Sequence, residues 1–560
     1  MNDTAIICSS EFHYFDTLCY YYRINNYKPV FTEEIYFNDE IDSVLRFFEN
    51  SKYHGLNPEY FDLEFIRKMK SDFIDKILND SIIDYEKLTN IELALSNALL
   101  NYVNGIQYGF IDPYKIFPRN YLLPLKVKDS TNYFHVFKTD NIKKYLTEIQ
   151  PKSKRYLRLQ KSLILYSELR LSGEWDSIKW KDPDIKIELG DTSEVLNSVA
   201  KRLLVTGELD SIHKDKIFLT YDSILFEAVK YYQEINGLLY DGVIGRRTLE
   251  QMNVSLDDRI KQIAANLERF RWYDYPDTGQ YVMVNIPEYY LYGFDNGNIG
   301  VSMKVCVGGK IDKNYDERLK RYLKTKKKWD KPENHETPCM YGLFSHFILN
   351  PKWLVPMSIA DKETIYKIVR DSNYIKDQNY TIFEDGIEIN PDSINWEKYT
   401  DRSVPFRFQQ EPGVLNALGK IKFIFPNKFD VYLHDTPSRA KFQSSFRAVS
   451  HGCIRIQSPL DFAEFLIKNN EKLHIDDIRL HLGMKPEDKE DEKKYKKRLE
   501  YYKENRDSSN FGIKTKTIFL KQKIPVYVDY YTCWVDDNNI LQLRMDVYEK
   551  DKKIITNLKL

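Results

Sequence analysis

Within RAVSHGCIRI, residues 447–456, one cysteine follows directly on a histidine and a glycine. Three chemistries are open to Cys453: an inert core thiol, a metal ligand or a nucleophile. The thiolate is the reactive form, and a thiol with a pKa of about 8.5 is mostly protonated at neutral pH, so a nucleophile here needs a base and access. Gly452 has no side chain to shield the sulfur. It also reaches conformations closed to other residues, which lets consecutive N–H groups turn one way toward an oxyanion. The base on offer is His434. In FDVYLHDTP, strand alternation puts Phe429, Val431 and Leu433 on one face and Asp430, Tyr432 and His434 on the other, and Pro437 ends the strand. Nineteen positions separate His434 from Cys453, enough for a loop returning to the same end of a sheet. His451 supplies a second imidazole two residues before the sulfur. Together these residues favour the nucleophile.

Metal chemistry is not expected. No pair of Cys or His has finger-like spacing, and the nearest, His335 with Cys339 in HETPC, stands alone. The six cysteines contain no CxxC and suggest no disulfide framework. Lys plus Arg equal Asp plus Glu at 83 each, so no global field draws nucleic acid or an anionic membrane, and no nucleic-acid partner is expected. No apolar run of about 18 residues occurs. The opening MNDTAIICSS lacks the basic and apolar regions of an export signal, which leaves a cytosolic protein or a signal outside this sequence.

The 560 residues suggest two to four domains, and 42% hydrophobic content suffices for sizeable cores. Residues 1–172 read as a mostly helical scaffold. EIDSVLRFFENSKYHG sets Ile41, Val44, Leu45 and Phe48 at helical spacing before Gly55. NIELALSNALLNYVNG repeats the pattern, with Gly105 after it, and SKRYLRLQKSLILYSELRLSG gives another helix. Residues 173–191 read as a linker. Three helices over 190–255 follow, the first capped by Thr192 or Ser193, with a turn at Asp241-Gly242 and the last helix opening near Arg246.

From 256 to 551 the chain turns β-rich, with YVMVNIPEYYLYGF, VSMKVCVGG, IKFIFPNKFDVYLHD and KTIFLKQKIPVYVDYYTCWVD as strands. Helices are expected around 359–370 and 459–468, the second with Ser458 as cap and Pro459 first. The basic stretch 316–336 reads as a solvated loop. The charged stretch 485–511 reads as an exposed helix, with Glu490–Lys494 and Glu492–Lys496 at i,i+4 spacing. The fold class is thus α+β and multidomain.

Residues 233–249, with Gln233, Gly237, Leu238, Asp241, Gly242, Gly245, Thr248 and Leu249, resemble the three-helix peptidoglycan-binding module. The pattern H434-(15 residues)-S450-H451-G452-C453 resembles the signature of L,D-transpeptidase (YkuD-type) catalytic domains. NPKWLVP, RFQQEPGVLNALGKIKFIFPN, IPVYVDYYTCWVD, YYRINNYKPVFTEE, HGLNPEYF and LERFRWY resemble the large three-part enzymes of the YcbB type.

The resemblance implies that Cys453 attacks the third-residue carbonyl of a peptidoglycan tetrapeptide stem and expels the terminal D-alanine. His434 takes the thiol proton and later activates the incoming amine, its ring oriented by the Asp435 carbonyl. His451 and the N–H groups of Gly452 and Cys453 line an oxyanion site. Tyr432, Trp353 and Arg455 hold the donor stem, with Ser450 and Asp435 beside them. Arg455 stands where many smaller relatives carry Asn. A lid is implied at about 358–405, and the basic insert is longer than the family's usual connection there. A second stem as acceptor gives a 3→3 cross-link, while water gives a trimmed stem, so an L,D-carboxypeptidase stays open, as does an inactive peptidoglycan-binding scaffold. No cofactor and no metal are implied. Peptide stems and other cell-wall synthases are the implied partners, of a monomer in the periplasm or envelope that serves cell-wall biogenesis and cell shape and is acylated by carbapenems.

Overall fold

A computed structural model describes residues 14–33, 36–37, 40–80, 83–128, 134–173, 175–508 and 511–560. Cys8, Glu34 of YYRINNYKPVFTEE, Glu174 of the expected linker and residues 509–510 of the charged insertion lie outside the described residues. The chain is an α+β multidomain protein. It forms two compact units, one of residues up to 118 with 124–275 and 531–560, the other of 119–123 with 276–530. The expected divisions at 256 and 551 are not where the units part.

The first unit is mostly helical. Helix α1 (Glu40–Asn50) buries Ile41, Val44, Leu45 and Phe48, one apolar stripe of period 3.6. Gly55 closes the turn after it at φ 72°, a left-handed conformation that favours glycine. Helix α2 (Tyr85–Tyr108) opens on Asp84, whose side chain accepts from the Lys87 N–H at 3.0 Å. Gly105 does not stop this helix. The Phe110 ring fills the place of its missing Cβ, and the chain leaves the helix at Gly109. Helix α3 (Lys154–Ser172) starts on the Ser153 cap and ends at Gly173.

Helices Val195–Thr206, Ser223–Ile235 and Arg246–Met252 close around Leu196, Val199, Leu203, Leu225, Val229 and Leu249. Ile178 and Ile187 enter the same core, and Lys186–Ile187 pairs with Ile244–Gly245. The stretch expected as a linker is therefore partly built into the module.

Helix α4 (Leu256–Trp272) packs with α3 and the hairpin Cys533–Val535/Leu541–Leu543 around Leu159, Leu163, Ile263 and Leu267. Its Glu268 is fully buried. That carboxylate accepts from the N–H groups of Phe110 (2.6 Å) and Ile111 (2.8 Å), from Trp272 Nε1 (3.0 Å) and from Arg271, itself buried, at 2.7 Å. Removing one partner of such a pair leaves an uncompensated buried charge. Glu268→Ala is expected to lower unfolding free energy by about 3–5 kcal/mol, read as the shift in a denaturant titration. A change below about 1 kcal/mol would count against the pair as a structural keystone.

The second unit is built on a closed sheet. Its strands are β1 (Tyr121–Leu122), β2 (Gln280–Asn285), β3 (Tyr290–Asp295), β4 (Asn298–Gly308), β5 (Cys339–Leu349), β6 (Trp353–Leu354), β7 (Tyr380–Glu384), β8 (Ile387–Glu388), β9 (Arg407–Gln410), β10 (Ile421–Ile424), β11 (Leu433–His434), β12 (Ala448–Ser450), β13 (Ile454–Ile456) and β14 (Lys516–Asp529). Pairing runs β10-β11-β13-β4-β3-β2-β14-β5, and β5 pairs back onto β10. Strand β1 adds to β5, and β12 adds to β4. Closure leaves an interior filled by side chains such as Val284, Leu291, Val305, Phe347, Phe423, Leu433, Ile454 and Val526, all buried. Phe462, from helix α6 (Pro459–Ile467), stacks edge-on against Phe344 and Phe423.

The stretch implied as a lid is a folded subdomain that carries the helix expected around 359–370 and a small sheet besides. Strands β6, β9, β7 and β8 form its sheet in that order, and a helical run over 357–370 packs Ala360, Ile365 and Ile368 against Ile382, Phe406 and Phe408. Its two stems meet at Asn416, a buried residue whose amide donates to the carbonyls of Pro351 (3.0 Å), Gln410 (3.3 Å) and Glu411 (3.0 Å). The basic insert is not a bare loop either. It carries helix α5 (Tyr315–Thr325) and a tight turn at Lys328–Asp330. In the charged insertion the helix Glu492–Asn505 is exposed and pairs Lys496 with Glu492 at 2.7 Å, while Lys494 turns to Asp491 instead of Glu490.

Candidate active site

Strands β11 and β13 run parallel, with Leu433 opposite Ile454 and His434 opposite Arg455. The Ile454 N–H donates to the Tyr432 carbonyl at 3.0 Å. This register sets Tyr432 beside Cys453 and His434 beside Arg455 on one face, where Lys422 joins them from β10, opposite His434. The regular alternation expected over 429–434 is shorter than that. Asp430 takes a positive φ of 53°, so only Leu433 and His434 are strand. The turn at Asp430 brings its carbonyl to the Cys453 Sγ, 3.9 Å away.

His434 is buried, and its Nδ1 lies 2.5 Å from the Asp435 carbonyl oxygen. A carbonyl only accepts, so Nδ1 carries the proton and Nε2 carries the lone pair. Burial, then the Arg455 charge, holds the imidazole pKa down at about 3. Cys453 is half-buried. Burial pushes its thiol above the usual range, against the hydrogen bonds from Tyr432 and the charges of Lys422 and Arg455, which pull the other way. Both shifts favour the same resting state, a neutral thiol and a neutral imidazole. Among the described residues no hydrogen bond joins Sγ to the ring, and such contacts commonly tighten only with substrate bound.

That resting state has a test. Alkylation of Cys453 by iodoacetamide is expected to rise in one step at alkaline pH, because thiolate forms only above the raised thiol pKa. A plateau of reactivity from about pH 5 to pH 8 would instead mark a thiolate–imidazolium pair.

Tyr432 sits at the centre of the face. Its hydroxyl is hydrogen-bonded toward both the thiol and Trp353, and burial raises its pKa. The Lys422 ammonium lies 3.8 Å from the Tyr432 ring centroid. The Nε of Arg455 is buried with no partner among the described residues. A guanidinium N–H left unmatched beside a thiol is a donor available to a substrate oxygen.

Ser450 and Asp435, expected beside the substrate, have a different place. Both are buried and brace the backbone. Ser450 Oγ donates to the Cys453 carbonyl (2.6 Å) and accepts from the Gly452 N–H (3.2 Å). The Gly452 N–H, expected toward an oxyanion, is thus engaged within the loop. Asp435 accepts from the N–H groups of Lys420 (2.8 Å) and Thr436 (2.7 Å) and from Arg439, fixing the turn whose carbonyl holds His434. His451 points at the lid, its Nε2 2.6 Å from Glu363 Oε1.

Sequence reasoning missed Thr337, Glu363 and Lys422. Thr337 is fully buried; its Oγ1 accepts from the Gly308 N–H and donates to the Gly452 carbonyl, both at 2.8 Å. It therefore ties two strands to the cysteine loop. Lys422 alternates with the apolar Ile421 and Phe423, a period-2 signal that would have put it on the face of His434. Thr337 and Glu363 lie in irregular or helical segments with no such signal.

Residues 279–475 match the family model described as L,D-transpeptidase catalytic domain. Residues 16–163 match a "Scaffold domain", and residues 201–252 a "Putative peptidoglycan binding domain". Residues 279–475 are thus similar to YkuD-type L,D-transpeptidase catalytic domains. A protein of Haemophilus influenzae (strain ATCC 51907 / DSM 11121 / KW20 / Rd), named "Putative L,D-transpeptidase", is 27% identical over 326 residues. The alignment takes in 57% of this chain and spans 55% of that relative's length. The solved L,D-transpeptidase (residues 123–326) from Xylanimonas cellulosilytica DSM 15894 is 13% identical over 52% of this chain and 95% of its own, at a TM-score of 0.17.

Proposed function

We propose that this chain is a peptidoglycan L,D-transpeptidase that forms 3→3 cross-links through a Cys453 acyl-enzyme. The observation that carries the reading is the pairing of β11 with β13. It sets a half-buried thiol beside Tyr432, two residues before an imidazole on the same strand whose tautomer leaves Nε2 to accept a proton.

His434 Nε2 takes the thiol proton as sulfur bonds the third-residue carbonyl carbon of a tetrapeptide stem. The tetrahedral oxygen gains negative charge beside Arg455 and Lys422, which supports stabilisation there. Collapse breaks the C–N bond, and the terminal D-alanine leaves with the proton from His434. An amine on a second stem then attacks the thioester carbon, gives its proton to His434 and expels sulfur. Tyr432 and Trp353 suit the donor side, since Tyr432 lies against the thiol and Trp353 lies against Tyr432. No helix among the described residues is long and apolar enough to cross a membrane. The substrate lies outside the cytoplasmic membrane, so the protein acts in the periplasm or envelope, as a monomer among other cell-wall synthases.

Incubation of the intact protein with purified disaccharide-tetrapeptide, read by mass, tests this. A cross-linked dimer is expected. Loss of one alanine without a dimer would make the protein an L,D-carboxypeptidase. Unchanged substrate beside retained sacculi would make it a binding scaffold.

A further inference from the structure

The stretch 316–336 holds eight Lys or Arg against five Asp or Glu, and its place in the fold gives that excess a target. The insert, the 356–362 and 401–403 segments of the lid and His451 together enclose a cavity of about 740 Å3. It meets the catalytic loop at His451, two residues before the nucleophile. Tyr432, Trp353 and Cys453 do not line it, so it lies off the face read as the donor side.

Its charges are unevenly spent. Lys362 is paired with Glu333 at 2.7 Å. Lys328 is held by the Tyr399 and Thr400 carbonyls, at 3.4 and 3.5 Å, and so pins the insert to the lid. Lys326, Lys327 and Lys331 line the cavity, are exposed, and have no carboxylate partner among the described residues. Asp361 and Asp401 line it too; one Asp361 oxygen accepts from the Val404 N–H at 2.8 Å, and neither carboxylate makes an ion pair among the described residues. Trp329 offers a half-exposed indole on the same wall. Unpaired cations, two unpaired carboxylates and one aromatic face suit a ligand with several carboxylates, one free ammonium and some apolar surface.

We propose that this cavity holds the acceptor of acyl transfer, an acidic peptide with a free amine. Lys326, Lys327 and Lys331 take its carboxylates, and Asp361 and Asp401 hold its ammonium on the way to the thioester. The assignment rests on the transpeptidase reading above. In the transfer the ammonium first gives one proton to solvent, the amine nitrogen then bonds the thioester carbon, the C–S bond breaks, and the second amine proton passes by way of His434 to the leaving sulfur. Water has no carboxylate for the three lysines to hold, so the same wall favours peptide over water as acceptor.

Binding is measured with the full chain carrying Cys453→Ala, which cannot be acylated. The probe is purified disaccharide-tripeptide, which ends at the third residue and cannot serve as donor. Calorimetry is run beside a copy of the probe with its carboxylates amidated, and beside the chain that also carries Lys326→Gln, Lys327→Gln and Lys331→Gln. The three sites are exposed, and a thermal melt confirms folding. Affinity is expected to fall about tenfold or more on either change, with a shallower salt dependence in the triple variant. Equal affinity for both probes and both proteins, or no binding to the Cys453→Ala chain, would overturn the site. Native turnover with lysine-independent binding removes the cavity and spares the transpeptidase. Lysine-dependent binding in a protein without turnover removes the acceptor role with the transpeptidase reading and leaves an acidic-peptide site.

Discussion

Replacing Cys453 by alanine is expected to lower cross-link formation from disaccharide-tetrapeptide by at least about 10⁴-fold, because the covalent route has no substitute nucleophile. The same variant is expected to show no mass increase with a carbapenem, whereas the native chain gains one acyl group. The change should cost little stability. Cys453 is half-buried, its sulfur touches the Asp430 carbonyl at 3.9 Å and Tyr432, and the loop is held by Ser450 and Thr337. A loss of activity with unaltered melting therefore reports chemistry. Residual turnover within about tenfold of native would remove the sulfur from the mechanism.

His434→Gln is expected to lower the same rate by about 10²–10⁴-fold, the usual worth of a positioned base. The deficit should shrink at alkaline pH, where solvent can deprotonate the thiol without the imidazole. A deficit independent of pH would point to a role in packing. Stability gives a second readout. The folded imidazole resists protonation down to about pH 3, while the unfolded one takes a proton near its usual pKa of about 6.5. As pH falls between those values the unfolded chain binds more protons, so His434 makes the native protein lose stability across that window. Glutamine does not titrate, so the variant should lose less stability on acidification. Parallel losses from about pH 6.5 down to pH 3 would contradict the depressed imidazole.

The parts of this fold governed by local periodicity were legible from residue types. The stripe Ile41, Val44, Leu45 and Phe48 needs only a 3.6 repeat, and it is buried. Nothing local shows that Phe110 will fold back over Gly105 and carry the helix past it. The 173–191 stretch looked like a linker because the partner of Ile187 is Ile244, far along the chain. The core of the 357–408 subdomain was hidden for a related reason: Ile382, Phe406 and Phe408 form one core only once separated segments meet.

The site divides along the same line. Cys453 and His434 stand out as residue types at a telling separation, and the family resemblance gave them roles. Their environment did not stand out. The left-handed turn at Asp430 is held locally by Asn427 but has no glycine to mark it, and the Thr337 bridge and the contact of His451 with Glu363 depend on partners dozens of residues away.

Asn416 has a consequence beyond the reaction. By gathering the carbonyls of Pro351, Gln410 and Glu411 on one amide, it makes the lid leave and rejoin the barrel at a single point. A segment rooted so narrowly is an exchangeable cassette. Selection can lengthen it, trim it or swap it wholesale, altering which molecules reach the sulfur while the strands beneath keep their alignment.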